Sequence, residues 1–252
     1  MTRHDDGSLW IRRYHPAPVD APVLLCLPHA GGSASYFFPA AKELSSTVDV
    51  LAVQYPGRQD RRAEPGIDSI GELADRLFEA LQPLPDAPIF LFGHSMGATV
   101  GFELARRLDD AGRTAKHLLV SGRRAPSVHK NDRVHQQDDR ALVAEMRRLG
   151  GTDSMLLRDE ELLQMILPAI RGDYRAIETY RCAPNASVAC PITAFVGDAD
   201  PRTSLDEARA WREHTTSTFD LEIFPGGHFY LESQLPATID AISRVLTTAM
   251  AR

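Results

Sequence analysis

Cysteine is scarce in this chain of 252 residues: Cys26, Cys182 and Cys190 are all it has. Three scattered thiols build neither a disulfide framework nor a cysteine-rich zinc site. No cluster of side chains has metal-ligand spacing, and no glycine-rich phosphate loop follows the first strand-like run. Metal: none, and cofactors: none, are therefore the expectations. No apolar run approaches the ~18–20 residues of a membrane span. The first eight residues carry charges with no apolar run behind them, which is not the pattern of a signal peptide. Positive charge is also short: 28 Lys and Arg against 34 Asp and Glu leave a net charge of −6. Such a surface repels phosphate backbones and argues against nucleic acid as the main partner. What remains is a cytoplasmic, reduced, globular protein with no membrane role. Nothing reads as an obligate interface, so a monomer is expected.

What the chain has is a rhythm of short apolar runs. They lie at residues 22–28 (PVLLCLP), 48–55 (VDVLAVQY), 88–92 (PIFLF), 117–121 (HLLVS), 191–196 (PITAFV) and 219–224 (FDLEIF). Most are apolar almost without interruption, as parallel strands covered on both faces are. Helical patterns fall between them at 68–81, 97–108, 205–214 and 236–250. This alternation predicts an α/β fold with a mostly parallel, doubly wound sheet, spanning 1–252 as one domain.

From about 123 to 187 the rhythm breaks, with helical patterns and no strand. Leu142, Met146 and Leu149 share one apolar face. Leu163, Ile166, Ile170, Tyr174 and Ile177 form a second, with Pro168 expected to kink it. The reading is a helical lid insertion over the strand ends, where open α/β sheets place their ligands. The alternative is extra scaffold. Polar segments at 131–140 and 150–154 predict few packing contacts and a mobile lid.

Gly93-His94-Ser95-Met96-Gly97 stands between the run at 88–92 and the helix after it. In that position G-x-S-x-G is a nucleophile elbow, a strained turn that lifts the serine Oγ above the sheet beside helix N-terminal amides. The glycines leave room for close backbone approach. A serine nucleophile needs a base held by a third group. Nine histidines compete. His94 should point away from Ser95, His29 suits loop packing, and His117 starts a strand. His4, His15, His129, His135 and His214 read as surface positions. His228, in the turn Pro225-Gly226-Gly227-His228 after the last strand, shares the rim with Ser95. The order Ser…Asp…His of the α/β-hydrolases then asks for an acid before it. Asp198 and Asp200 both qualify. Asp200, extended before Pro201 and farther out on its loop, is the preferred one. Oxyanion donors are expected from the amides of Met96, after the nucleophile, and Ala30, in the loop His29-Ala30-Gly31-Gly32.

Taken together, Leu27-Pro28-His29-Ala30-Gly31-Gly32-Ser33-Ala34, Tyr55-Pro56-Gly57-Arg58, the elbow, Gly197-Asp198-Ala199-Asp200-Pro201 and Gly226-Gly227-His228-Phe229 resemble one family. It is the type II thioesterases of polyketide synthase and nonribosomal peptide synthetase systems, in the α/β-hydrolase superfamily. The resemblance covers residues 8–250. It implies Ser95, Asp200 and His228 as the catalytic triad, and Ala30 with Met96 as the oxyanion hole. It also implies an acyl- or peptidyl-carrier protein bearing a phosphopantetheine thioester as partner. Tyr230, where a second Phe is usual, would add polarity to the pocket, and Gly172 replaces a common Ala. The site alone does not separate a thioesterase from a carboxylesterase on small soluble esters or acyl-CoA. A non-catalytic binding module on the same scaffold is the rival of another class, against which the intact residues argue. With a net charge of −6, docking an acidic carrier needs a local basic patch. Arg123-Arg124 is the first choice, ahead of Arg61-Arg62 and Arg147-Arg148.

Overall fold

The structure, a computed structural model, describes residues 9–82, 87–150 and 159–251. His4, the opening octapeptide and residues 151–154 of the second polar segment lie outside them. Seven strands form one sheet in the order β1-β3-β2-β4-β5-β6-β7. These are β1 (Ile11–Arg13), β2 (Val23–Leu27), β3 (Asp49–Val53), β4 (Ile89–His94), β5 (His117–Ser121), β6 (Ile192–Gly197) and β7 (Phe219–Phe224). All neighbours pair in parallel except β1, which runs antiparallel to β3 at the edge. The six apolar runs are the six parallel strands. β1 is an addition to the expected strands: Ile-Arg-Arg is too short and too polar to register as a buried strand.

Alternate residues of the strands enter opposite cores. Leu25, Leu27, Leu51, Val53 and Leu91 pack under α2 (Ile70–Leu81) and α3 (Met96–Asp110). Leu24, Cys26, Val50, Phe90 and Phe92 pack under α1 (Phe38–Leu44) and the C-terminal helix, residues 235–250. Covering both faces is what makes the strands continuously apolar. The helix α1 was also missed, being short and proline-led.

Between β5 and β6 stand α4 (Asp139–Leu149) and α5 (Glu160–Thr179), on the predicted faces. Pro168 lies inside α5, which runs on through it. Val134, Leu142, Val143, Met146, Leu167, Ile170 and Tyr174 form a third apolar cluster of their own. The polar segment 131–140 is better anchored than its composition predicts. Glu178 accepts from the amides of Val134 and His135, and Arg171 donates to the carbonyls of His135 and Gln137. After β6 come α6 (Leu205–Arg209), then α7 (Tyr230–Ser233) and α8 (Leu235–Met250). Among the described residues no helix is long and apolar enough to cross a membrane.

Candidate active site

Ser95 sits between the last residue of β4 and the first of α3, with φ 54° and ψ −115°. A serine in this region is strained and must be held there by its surroundings. Its amide donates to the Ser121 carbonyl of β5 at 2.7 Å, which pins the elbow to the next strand. A Cβ at Gly93 would strike the Gly97 carbonyl, and one at Gly97 the Leu27 carbonyl. Both glycines are therefore steric requirements of the turn.

The turn after β7 brings His228 to the same rim. The Ser95 hydroxyl lies 3.0 Å from His228 Nε2, and Nδ1 lies 2.9 and 3.1 Å from the two Asp200 oxygens. A carboxylate only accepts, so Nδ1 carries the proton and donates to Asp200. Nε2 is then the acceptor facing Ser95. The side chains of His228 and Asp200 are 4% and 0% exposed. The Arg202 amide donates a second hydrogen bond to Asp200 at 2.8 Å. Asp198 serves the backbone instead, where its exposed carboxylate accepts from the Gly226 amide at 2.9 Å and holds the β7 turn.

In the loop after β2, the Gly31 amide is taken by Asp173 and the Gly32 amide by the His29 carbonyl. The Ala30 amide has no acceptor among the described residues, and Ala30 lines one cleft with Ser95. Met96 is the first residue of α3, where amides have no intrahelical acceptor. Asp173 was not singled out in the sequence. Its carboxylate also receives Arg58 in a buried ion pair, so α5, the Tyr-Pro-Gly-Arg segment and the loop of Ala30 meet on one side chain. The signal was present: Asp173 occupies the apolar stripe of Ile170, Tyr174 and Ile177, where an acid requires a partner. Gly122 was likewise missed; at φ 60° it lies where a Cβ would press on His94 at 2.8 Å and His228 at 3.4 Å.

Of the remaining histidines, His94 and His29 lie as expected and His214 does not. His94 turns away from Ser95, bonding Ser121 Oγ at 2.9 Å, and His29 packs edge-on against Tyr36 and Phe229. Burial lowers the His29 pKa to about 3, helped by His228 and Arg58, and depresses His94 well below the usual imidazole range. Both rings are therefore neutral near neutral pH. His214 is not at the surface: it is 4% exposed and ties Ser127 to the Ala186 carbonyl. Tyr230 does not add polarity to the cleft, because its buried hydroxyl is engaged by Ser121 Oγ at 2.7 Å.

The cleft around Ser95 and His228 encloses about 500 Å³, part of it open to solvent. Leu149, Tyr174, Ile177 and Glu178 of the helical insertion form one wall, with Arg123, Arg124 and Arg202 among the others. The preferred docking pair is therefore no surface patch. Arg124 is 5% exposed and donates to Asp132 at 2.7 Å, while Arg123 faces the cleft. Arg61 is also buried, over the Trp10 ring and paired with Glu64. Among the described residues no group of His, Cys, Asp and Glu is arranged to hold a metal ion.

A family model, the thioesterase domain, matches residues 22–246. The chain belongs to the thioesterase family. It is 54% identical over 231 residues to thioesterase PikA5 of Streptomyces venezuelae, covering 91% of this chain and 82% of that one. A cadicidin biosynthesis thioesterase assigned to Streptomyces griseus is 50% identical over 245 residues, covering 97% of this chain and 68% of the relative. Among solved structures, the type II thioesterase BorB from the borrelidin biosynthetic cluster is 53% identical with a TM-score of 0.89. That match covers 97% of this chain and 100% of BorB. The family assignment agrees with the mostly parallel seven-stranded sheet and its flanking helices.

Proposed function

We propose that this thioesterase removes aberrant or stalled acyl groups from the phosphopantetheine arm of acyl- or peptidyl-carrier proteins in polyketide or nonribosomal peptide biosynthesis. The observation that carries the reading is the aligned contact of Ser95, His228 and Asp200 at a strained elbow in a family member. Ser95 Oγ attacks the thioester carbonyl as its proton passes to His228 Nε2, and Asp200 stabilises the imidazolium. The amides of Ala30 and Met96 receive the oxyanion. Collapse expels the pantetheine thiolate, which takes the proton from His228. Water then enters, gives its proton to Nε2, and attacks the acyl-enzyme to release the acid and restore Ser95. No step calls for a cofactor.

Helices α4 and α5 act as a lid over this site in our reading, within one domain of the whole chain. The carrier docks by the exposed arginines Arg62, Arg147 and Arg148, since Arg61 and Arg124 are buried in ion pairs with Glu64 and Asp132. Steady-state turnover of an acyl-carrier protein against an aryl ester of the same acyl group tests the assignment. A carrier preference in kcat/KM supports it. Equal or better use of the aryl ester would make the protein a general esterase.

A further inference from the structure

Arg123 occupies an unusual position. It follows Gly122, where an added Cβ would lie 3.4 Å from the His228 ring, so its side chain starts one residue from a position beside that ring. It is half-buried and lines the cleft together with Ser95 and His228. Every other charged group on the cleft wall is committed. Asp132 accepts from Arg124 at 2.7 Å and is paired with Arg202 at 3.5 Å. Arg202 also binds Glu145 at 2.9 Å. Glu178 spends both oxygens on the backbone amides of Val134 and His135 and on the His135 ring. The Arg123 backbone carbonyl accepts from the Trp211 indole, but its guanidinium has no hydrogen bond or ion pair among the described residues. A guanidinium presents five donors, and in the cleft these are open to an acceptor that enters it. Burial, then Arg124 and Arg202, lower its pKa to about 9, so it stays charged at neutral pH.

We infer that Arg123 is a specificity residue that receives an acceptor oxygen of the substrate's acyl chain, carried close to the thioester carbonyl as a 3-oxo, 3-hydroxyl or carboxylate group. The inference rests on the hydrolase reading above and adds a substrate class to it. Two features favour the acyl chain over the phosphate of the carrier arm. The phosphate is separated from the thioester by the full pantetheine length, whereas Arg123 is adjacent in sequence to Gly122, which lies beside the His228 ring. The cleft wall around Arg123 also carries Tyr174 and Ile177, which suit a short carbon chain rather than a phosphodiester.

The test compares butanoyl, 3-oxobutanoyl, 3-hydroxybutanoyl and malonyl thioesters, each on N-acetylcysteamine, which lacks phosphate, and on an acyl-carrier protein, with the wild type, Arg123→Leu and Arg123→Lys. The readout is the kcat/KM ratio of each oxygenated substrate to butanoyl within one variant, which does not depend on how much of that variant folds. Loss of a hydrogen bond to a charged group predicts a fall in at least one ratio of about 10- to 100-fold in Arg123→Leu, with a smaller fall in Arg123→Lys. The ratio that falls identifies the group, neutral oxygen or carboxylate. Unchanged ratios overturn the inference while leaving the hydrolase reading intact. A loss seen only with carrier-bound substrates, and not with N-acetylcysteamine thioesters, assigns Arg123 to the phosphate and also overturns it. If wild type cleaves no thioester above the Ser95→Ala level, the hydrolase reading fails and this inference with it.

Discussion

At the scale of single residues, Asp198 and Asp200 separate most sharply. Both lie in one loop after β6, yet only Asp200 meets His228, while Asp198 braces a turn. Asp200→Asn keeps the shape but offers an amide donor to Nδ1, favouring the tautomer that cannot take the serine proton. The corresponding change in a serine protease costs ~10⁴-fold in kcat, and a loss of that order is expected here. Asp198→Asn should leave kcat within a few-fold. Parallel steady-state kinetics of the two variants settle the assignment, and a reversed ranking would exchange the roles. Proline after Asp200 and the loop position were enough to prefer it from sequence. Arg124 and His214 were misplaced for the opposite reason. Each carries a polar side chain beside another polar residue, Arg123 or Glu213, but burial is decided by Asp132 and Glu178, or Ser127 and Ala186, brought in by tertiary packing.

At the scale of elements, Asp173 joins three pieces that sequence motifs present separately. It takes the Arg58 guanidinium and the Gly31 amide from α5, so the helical insertion is fastened to the loop of Ala30. Asp173→Ala leaves Arg58 buried without its partner, at a cost of about 3–5 kcal/mol for a pair of this kind. The variant should unfold at lower denaturant, and amide exchange in α4 and α5 should quicken relative to β4. Equal protection across all three elements would mean that the insertion is a fixed cap fastened by its apolar cluster. The strands themselves were legible because a two-faced parallel sheet writes itself as unbroken apolar runs. β1 was not, since an antiparallel edge of three residues needs no such run. The apolar faces of α4 and α5 were read correctly, but the ties from Glu178 and Arg171 to the intervening polar segment left no periodic trace.

At the scale of the whole molecule, buried neutral histidines set the response to acid. His29, His94 and His214 all have pKa values lowered chiefly by burial, to about 3 for His29. The unfolded chain binds their protons from about pH 6.5 downward, while the folded chain does not. The unfolded state therefore gains protons first, and stability falls as pH drops below 6.5. Each such histidine contributes a slope of up to about 1.4 kcal/mol per pH unit until its folded pKa is reached. Denaturant midpoints at pH 7.5, 6.0 and 5.0 should fall in that order, and His29→Gln should flatten the decline. An unchanged slope in that variant would show that His29 is protonated in the folded protein.

In the proposed function, Ser95 carries out thioester cleavage on a carrier-bound acyl group. Its most direct measurement is the rate of acyl release from an acyl-carrier protein by wild type and by Ser95→Ala, followed as conversion of the carrier to its free-thiol form. Removing one hydroxyl leaves the fold in place, so the two proteins should share a thermal unfolding midpoint to within a few degrees. A fall of at least ~10³-fold in kcat is expected, with any residual activity arising from the oxyanion amides and binding alone. Release by Ser95→Ala at a rate near wild type would contradict it.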